Sequence, residues 1–288
     1  MKTHWLIQST GFNSNYVYEI FNFLKENNYK VSDFGIVSGT NNITNIENIL
    51  SDDDIYIFKS GTKILDILNN IENISEVSNL LSSEQINKSN LFLKKLKDGI
   101  DYNINTFDQQ IYSKLNLPLL NNSPSIYSFN EIKDTSFKKD LFIKPSRDLK
   151  AFNGGIIKSG TKVIDYIMSN HPLTYYKNEK IILHDVVEIL AEYRFFIIED
   201  KVITGSLYKR NNQIIYDYFI PDYIYQVALE YAKLYKPANI FVMDIAETNL
   251  GIKIIEYNCW NASGIYMSDV HKLFSEIDNY KLSTYKEK

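Results

Sequence analysis

A single cysteine, Cys259, stands in 288 residues. That excludes an internal disulfide framework, and the usage fits a reducing cytoplasm. No His or Asp is spaced around Cys259 to make it a nucleophile, which leaves it the role of a small buried residue. Positive charge is not in excess: 31 Lys and Arg against 35 Asp and Glu give a net charge of −4. A general basic field for nucleic acid or anionic membrane is therefore missing, and any phosphate binding falls to local groups. No run approaches about 18 apolar residues, and the N-terminus lacks a basic-then-apolar leader, so neither a membrane span nor export is expected. Neither a Walker loop nor a GxGxxG occurs. What remains, 44% hydrophobic and 23% charged, is an ordinary globular composition. The length suits two domains or one large α/β assembly.

The first hundred residues alternate strand and helix. Residues 4–8 form a short apolar strand ending in Ser9-Thr10-Gly11, and residues 15–26 carry Val17, Ile20, Phe21 and Leu24 at helical spacing. Residues 30–37 and 54–58 read as further strands, and Ser60-Gly61-Thr62 opens a helix over 63–71. This pattern predicts a small parallel sheet with helices on its faces. Residues 75–98 are polar with a few Leu and Phe at helical spacing and read as connecting helix or loop.

The stretch 239–266 carries the most chemistry. Two apolar runs flank Asn249-Leu250-Gly251, which predicts a hairpin with Gly at a positive φ. With the turn centred on Leu250, residues whose numbers sum to 500 face each other. Asp244 then lies opposite Glu256, with Asn258 on the same side, while Met243, Ile245, Ile255 and Tyr257 face the core. Two facing carboxylates repel and want a cation or a proton. With an amide oxygen they form a hard donor set suited to Mg²⁺. The rival reading is an exposed hairpin with two solvated acids. On the metal reading, neutralising one carboxylate would relieve repulsion and raise stability. Beyond the hairpin, Asn261-Ala262-Ser263-Gly264 forms a polar turn before helical spacing over 265–277. Ser263 and Gly264 would thus offer free N–H groups to a substrate anion.

Upstream, a strand delivers Lys144 and is stopped by Pro145. A polar loop with Lys150 and Gly154-Gly155 returns to a second strand at Ile156-Ile157. Such a basic loop between antiparallel strands folds over phosphates, or is an ordinary hairpin loop. Residues 181–198 run from one strand into the next without a breaker. Glu192 and Arg194 share a face there, either as site residues or as an exposed ion pair. A helix introduced by Pro221 covers residues 222–235.

FIKPSRDLKAFNGGII, DVVEILAEYR and MDIAE…IIEYNCWNASG, in this order, resemble the ATP-grasp superfamily. KPSRDLKAFNGG, EYRFFIIEDKVITGSLY and EYNCWNASGIY resemble its R2K clade more narrowly, over roughly residues 121–266. The resemblance implies an ATP-grasp fold, α/β and α+β, with an N-terminal α/β (pre-ATP-grasp) domain over 1–117. A small subdomain with the phosphate loop over 118–184 and a large subdomain with the metal hairpin over 185–288 would follow. It implies ATP and Mg²⁺ as cofactors. Lys144 and Lys150 match the phosphate-contacting lysines, although the clade often has Arg where Lys144 stands. Asp185, Val187, Glu188 and Ile189 fall on the adenine-binding hinge, and Glu192 on the ribose carboxylate. Arg194 would steady the γ-phosphate or a phosphorylated intermediate, and Asp244, Glu256 and Asn258 match the Mg²⁺ ligands. That triad is complete, which speaks for an active enzyme. The implied reaction is ADP-forming carboxylate–amine ligation through an acyl phosphate, on small-molecule or peptide substrates. A kinase and a non-catalytic ATP-binding regulator are the alternatives. No nucleic acid or membrane partner is expected, and nothing in the sequence sets the oligomeric state.

Overall fold

Strand–helix alternation in the first hundred residues builds a mainly parallel sheet. The computed structural model describes residues 2–10, 14–37, 43–46, 54–69, 83–147, 152–170 and 180–286. The chain divides into two units, one holding residues 1–102, 260–264 and 271–288, the other residues 103–259 and 265–270.

In the first unit, β1 (Lys2–Gln8) lies between β2 (Lys30–Ile36) and β4 (Asp54–Lys59), parallel to both. A two-residue β3 (Ile43–Thr44) caps the far edge antiparallel to β2. Helix α1 (Ser14–Glu26) buries Ile20 and Leu24, four apart as one helical face requires. Helix α2 (Lys63–Asn69) follows β4, and α3 (Ser83–Gly99) buries Phe92 and Leu96, giving residues 83–98 the helical option of the sequence reading. The C-terminal helix Val270–Lys286 presents Leu273, Phe274 and Ile277 as one apolar stripe. The Trp5 and Phe274 rings lie 4.7 Å apart, and those of Phe23 and Phe274 5.8 Å. Residues 271–288, expected with the metal hairpin, therefore belong to the first unit, because that stripe is buried there.

The second unit holds two antiparallel sheets. The smaller is ordered β5 (Ser125–Ser128), β8 (Lys180–Asp185), β6 (Leu141–Pro145), β7 (Gly155–Ile157). Alternation along β6 sends Leu141 and Ile143 into a core with Phe152, Ile181, Leu183 and residues of helix α4 (Val163–Asn170). Phe142 and Lys144 point to the other face. Gly154 is needed for close approach: a Cβ there would sit 3.0 Å from the Lys144 Cβ. The larger sheet is ordered β11 (Gln213–Asp217), β10 (Lys201–Arg210), β9 (Ile189–Ile198), β12 (Ile240–Thr248), β13 (Gly251–Cys259). Helix α5 (Asp222–Tyr231) begins after Pro221 and ends four residues short of the expected 235. β9 is central and nearly continuously buried, as a strand covered on both faces must be.

The hairpin of β12 and β13 pairs Asp244 with Glu256, as expected, but by a different route. The loop is two residues, Asn249-Leu250, with Thr248 opposite Gly251 and Gly251 at φ +98°. A bulge at Ile255 then shifts the register by one and restores the Asp244–Glu256 pair. The bulge has a cost for the expected core: Ile254 is fully buried, whereas Ile255 is half-buried and turned to a cavity. Cys259 is buried, as expected.

His184 on β8 is buried, and its Nε2 meets no hydrogen-bond partner among the described residues. Burial, with the Lys144 cation adding, lowers its pKa to about 4 from 6.5. The unfolded chain therefore takes up this proton first. Stability is fully present above pH 6.5 and is lost as pH falls towards 4. Between pH 7 and 4.5 the wild type should lose on the order of 2 kcal/mol more than His184→Gln, measured by urea unfolding. Equal losses in both proteins would exclude this role for His184.

Candidate active site

Three adjacent strands place one residue each in a row across the large sheet. Arg194 on β9 pairs with Asp244 on β12, and Asp244 pairs with Glu256 on β13. Directly paired residues share a face, so the three side chains converge. The Arg194 guanidinium grips Asp244 through two parallel bonds, Nε to Oδ1 at 2.8 Å and Nη2 to Oδ2 at 2.7 Å. From the smaller sheet, the Lys144 Nζ donates to Glu256 Oε2 at 2.7 Å. The row thus reads plus, minus, minus, plus. Burial works against the Arg194 charge, but the Asp244 carboxylate outweighs it and raises the Arg194 pKa further. The guanidinium therefore stays cationic at any working pH.

Burial grades along the row. Arg194 is 5% and Asp244 2% exposed, while the Glu256 side chain is 30% exposed. Asn258, two residues beyond Glu256, is buried and donates Nδ2 to Asp244 Oδ2 at 3.2 Å. The carboxylates are thus not the solvated acids of an exposed hairpin. Arg194 and Lys144 offset the repulsion that neutralising one carboxylate was expected to relieve.

A cavity of about 820 Å³ opens beside this row, a size suited to a nucleotide. Its walls include Lys144, Asp185, Val187, Glu188, Ile189, Glu192, Glu256 and Asn258. All the expected nucleotide-binding residues that lie among the described residues therefore meet at one place. Lys150 lies outside the described residues. The hinge is real as a break: β8 ends at Asp185, residues 186–188 are unpaired, and β9 starts at Ile189. The break falls where the hinge was expected, in a run that holds no breaker residue. Asp185 is exposed and ion-paired with Lys139.

Glu192 and Arg194 are not an ion pair with each other. Glu192 is buried, accepts from Tyr208 Oη at 2.7 Å, and sits 2.7 Å from Lys209 Nζ. Burial, with Asp244 and Glu192 adding, holds the Tyr208 hydroxyl well above the usual phenol range, so it remains a donor. The sequence reading missed Tyr208 and Lys209. Counting back from the turn at 199–200 would set Leu207 opposite Glu192, but bulges between Val202 and Thr204 and between Leu207 and Lys209 shift the register by two. Tyr208 is the extra residue of the second bulge.

Ser263 and Gly264 fall in the first unit. There the carbonyls of Asn261 and Ser263 accept from buried Lys59 Nζ at 3.2 and 2.6 Å. The helix opens at Val270 rather than directly after Gly264, so the expected helix N-terminus at this turn is corrected. Residues 260–262 form a single 3₁₀ turn instead, its Trp260 ring packed 6.3 Å from Trp5.

The sequence profile of the ATP-grasp domain, R2K clade family 2, matches residues 125–275. The chain belongs to this ATP-grasp family. Among solved structures, D-alanine–D-alanine ligase from Bacillus anthracis complexed with ATP is similar at 12% identity and a TM-score of 0.54, over 100% of this chain and 99% of that one. The ATP-grasp ligase PsnB, complexed with precursor peptide PsnA2 and AMPPNP, is similar at 12% identity and a TM-score of 0.51, over 97% of each chain. At these identities the likeness establishes the fold, which is ATP-grasp. A search of curated protein sequences found no match. Among the described residues, no helix is long and apolar enough to cross a membrane.

The expected metal donor set, Asp244, Glu256 and Asn258, is two carboxylates and one amide. Among the described residues no group of three His, Cys, Asp or Glu side chains is placed to hold a metal. The donors nevertheless fit Mg²⁺: all are hard oxygen ligands on one sheet face, with Glu256 open to the cavity. Two variants test the energetics. Asp244→Asn breaks a buried bidentate pair and should lower unfolding free energy by about 3 kcal/mol. Glu256→Gln, half-open to solvent, should cost under about 1 kcal/mol. Urea denaturation checks both, and the opposite ranking would mean that carboxylate repulsion dominates.

Proposed function

We propose that the chain is a Mg-ATP-dependent carboxylate–amine ligase that releases ADP through an acyl phosphate. The observation that carries this reading is the convergence of Lys144, the 185–189 hinge, Glu192, Glu256 and Asn258 on one cavity, with Arg194 and Asp244 behind it. The ligase names of the neighbours are in keeping with it.

Residues 118–184 would serve as the small, phosphate-side subdomain and residues 185–259 with 265–270 as the large, metal-side one. Val187, Glu188 and Ile189 would line the base, with backbone groups of the unpaired hinge left to bond it. Glu192, steadied by Tyr208 and Lys209, would accept from the ribose hydroxyls. Lys144, with Lys150 from its loop, would meet the phosphates. Asp244, Glu256 and Asn258 would hold Mg²⁺, whose chemistry is to draw charge from the phosphate oxygens. Arg194 is a fixed cation in a dry site, where it offsets charge on the transferring phosphoryl group without having to reorganise. Substrates would be a small-molecule or peptide carboxylate and an amine, and the setting cytoplasmic.

ADP release measured by coupled assay should rise only with both a carboxylate and an amine present. It should fall about 100-fold or more in Arg194→Ala. AMP and pyrophosphate as products would refute the reading. ADP with a stable phosphorylated product from one acceptor alone would identify a kinase.

A further inference from the structure

Arg194 is held twice. Asp244 takes the edge of the guanidinium, while its face lies over two aromatic rings, 4.8 Å from the Tyr266 centroid and 5.6 Å from that of Tyr208. The rings are themselves stacked, with centroids 5.2 Å apart and planes at 22°. The Tyr216 ring on β11 also stacks with Tyr266, with centroids 5.2 Å apart and planes at 16°. The edge bonds are polar and can be competed for by another cation at Asp244. The face contacts do not depend on that carboxylate.

Tyr266 occupies its place against its own backbone preference. Its φ is +55°, in the left-handed region. Of the six described non-glycine residues with positive φ, four are Asn, which tolerates that region, and Glu199 sits in a hairpin turn. Tyr266 is the aromatic exception. Polar bonds pin its segment to β10: Ser268 Oγ to Ser206 Oγ at 3.3 Å, and the Asp269 N–H to Thr204 Oγ1 at 2.9 Å. A backbone suited to Gly or Asn thus carries a ring aimed at the guanidinium, and such strain marks a position whose side chain is required.

We propose that Tyr266 and Tyr208 are positioning residues that fix the Arg194 guanidinium by its face, so that it keeps its place when Asp244 turns to a metal ion. What the guanidinium then acts on rests on the ligase reading above. The hold itself does not.

The chain has three arginines, Arg147, Arg194 and Arg210, so arginine side-chain N–H resonances are few enough to assign. In the nucleotide-free protein, the Arg194 Nε–H resonance should show a ring-current shift. Tyr266→Phe keeps the ring and should keep both the shift and the rate. Tyr266→Gly suits the backbone but deletes the ring. It should lose the shift and lower kcat at least about tenfold, with KM for ATP within about twofold. Tyr266→Asn, also at home in left-handed backbone, replaces the Gly variant if that one does not fold. Asp244→Asn should leave the ring-current shift in place. A Gly or Asn variant with wild-type shift and rate would overturn the proposal, as would a Phe variant as impaired as Gly. If the wild type releases no ADP, the ligase reading fails and the resonance alone decides the hold.

Discussion

The site is organised by one buried, two-bonded ion pair, Arg194 with Asp244. Taking two charges out of water costs several kcal/mol each, and only good geometry with further hydrogen bonds recovers it. β9 and β12 supply the geometry by setting the two residues directly opposite. Asn258 supplies a further bond to Asp244, and the rings of Tyr208 and Tyr266 cover the guanidinium. Any change in strand register would leave two uncompensated charges inside the sheet. The pair therefore fixes register as well as charge.

From that pair the charges alternate outward to the cavity. Asp244 faces Glu256, Glu256 binds Lys144, and Lys144 belongs to a different sheet. The carboxylates are thus held by internal cations along a path that ends at a solvent-accessible wall. On the proposed reading, a metal ion held by Asp244 and Glu256 would replace an existing counter-charge and free Lys144 and Arg194 to offset phosphate charge. Both the repulsion between the acids and the availability of two cations are resolved by the same arrangement.

The second polar cluster, Glu192 with Tyr208 and Lys209, depends on irregularity. Without the bulge between Leu207 and Lys209, Tyr208 and Lys209 would point to opposite faces of β10. With it, both reach one carboxylate. The bulge at Ile255 does similar service on β13, restoring the Asp244–Glu256 pair after a two-residue loop. Both bulges lie beside the cavity, where bulges commonly re-aim side chains.

Much of this was legible beforehand. The alternating strands and helices of the first hundred residues, the Lys-Pro strand end and the Gly251 turn follow from periodicity and turn chemistry, which are local, whereas the Asp244–Glu256 pair also needs the Ile255 bulge. Their order carried the family. Tertiary structure alone decided what Arg194 holds, because its partner is 50 residues away and the choice between Glu192 and Asp244 is made by strand pairing. It decided that Lys144 reaches Glu256 across two sheets. It moved Ile255 from core to cavity and brought Tyr208 beside Glu192, since a bulge leaves no mark in hydrophobic alternation. It also moved the last helix to the first unit, because an apolar stripe says that a face is buried but not against what.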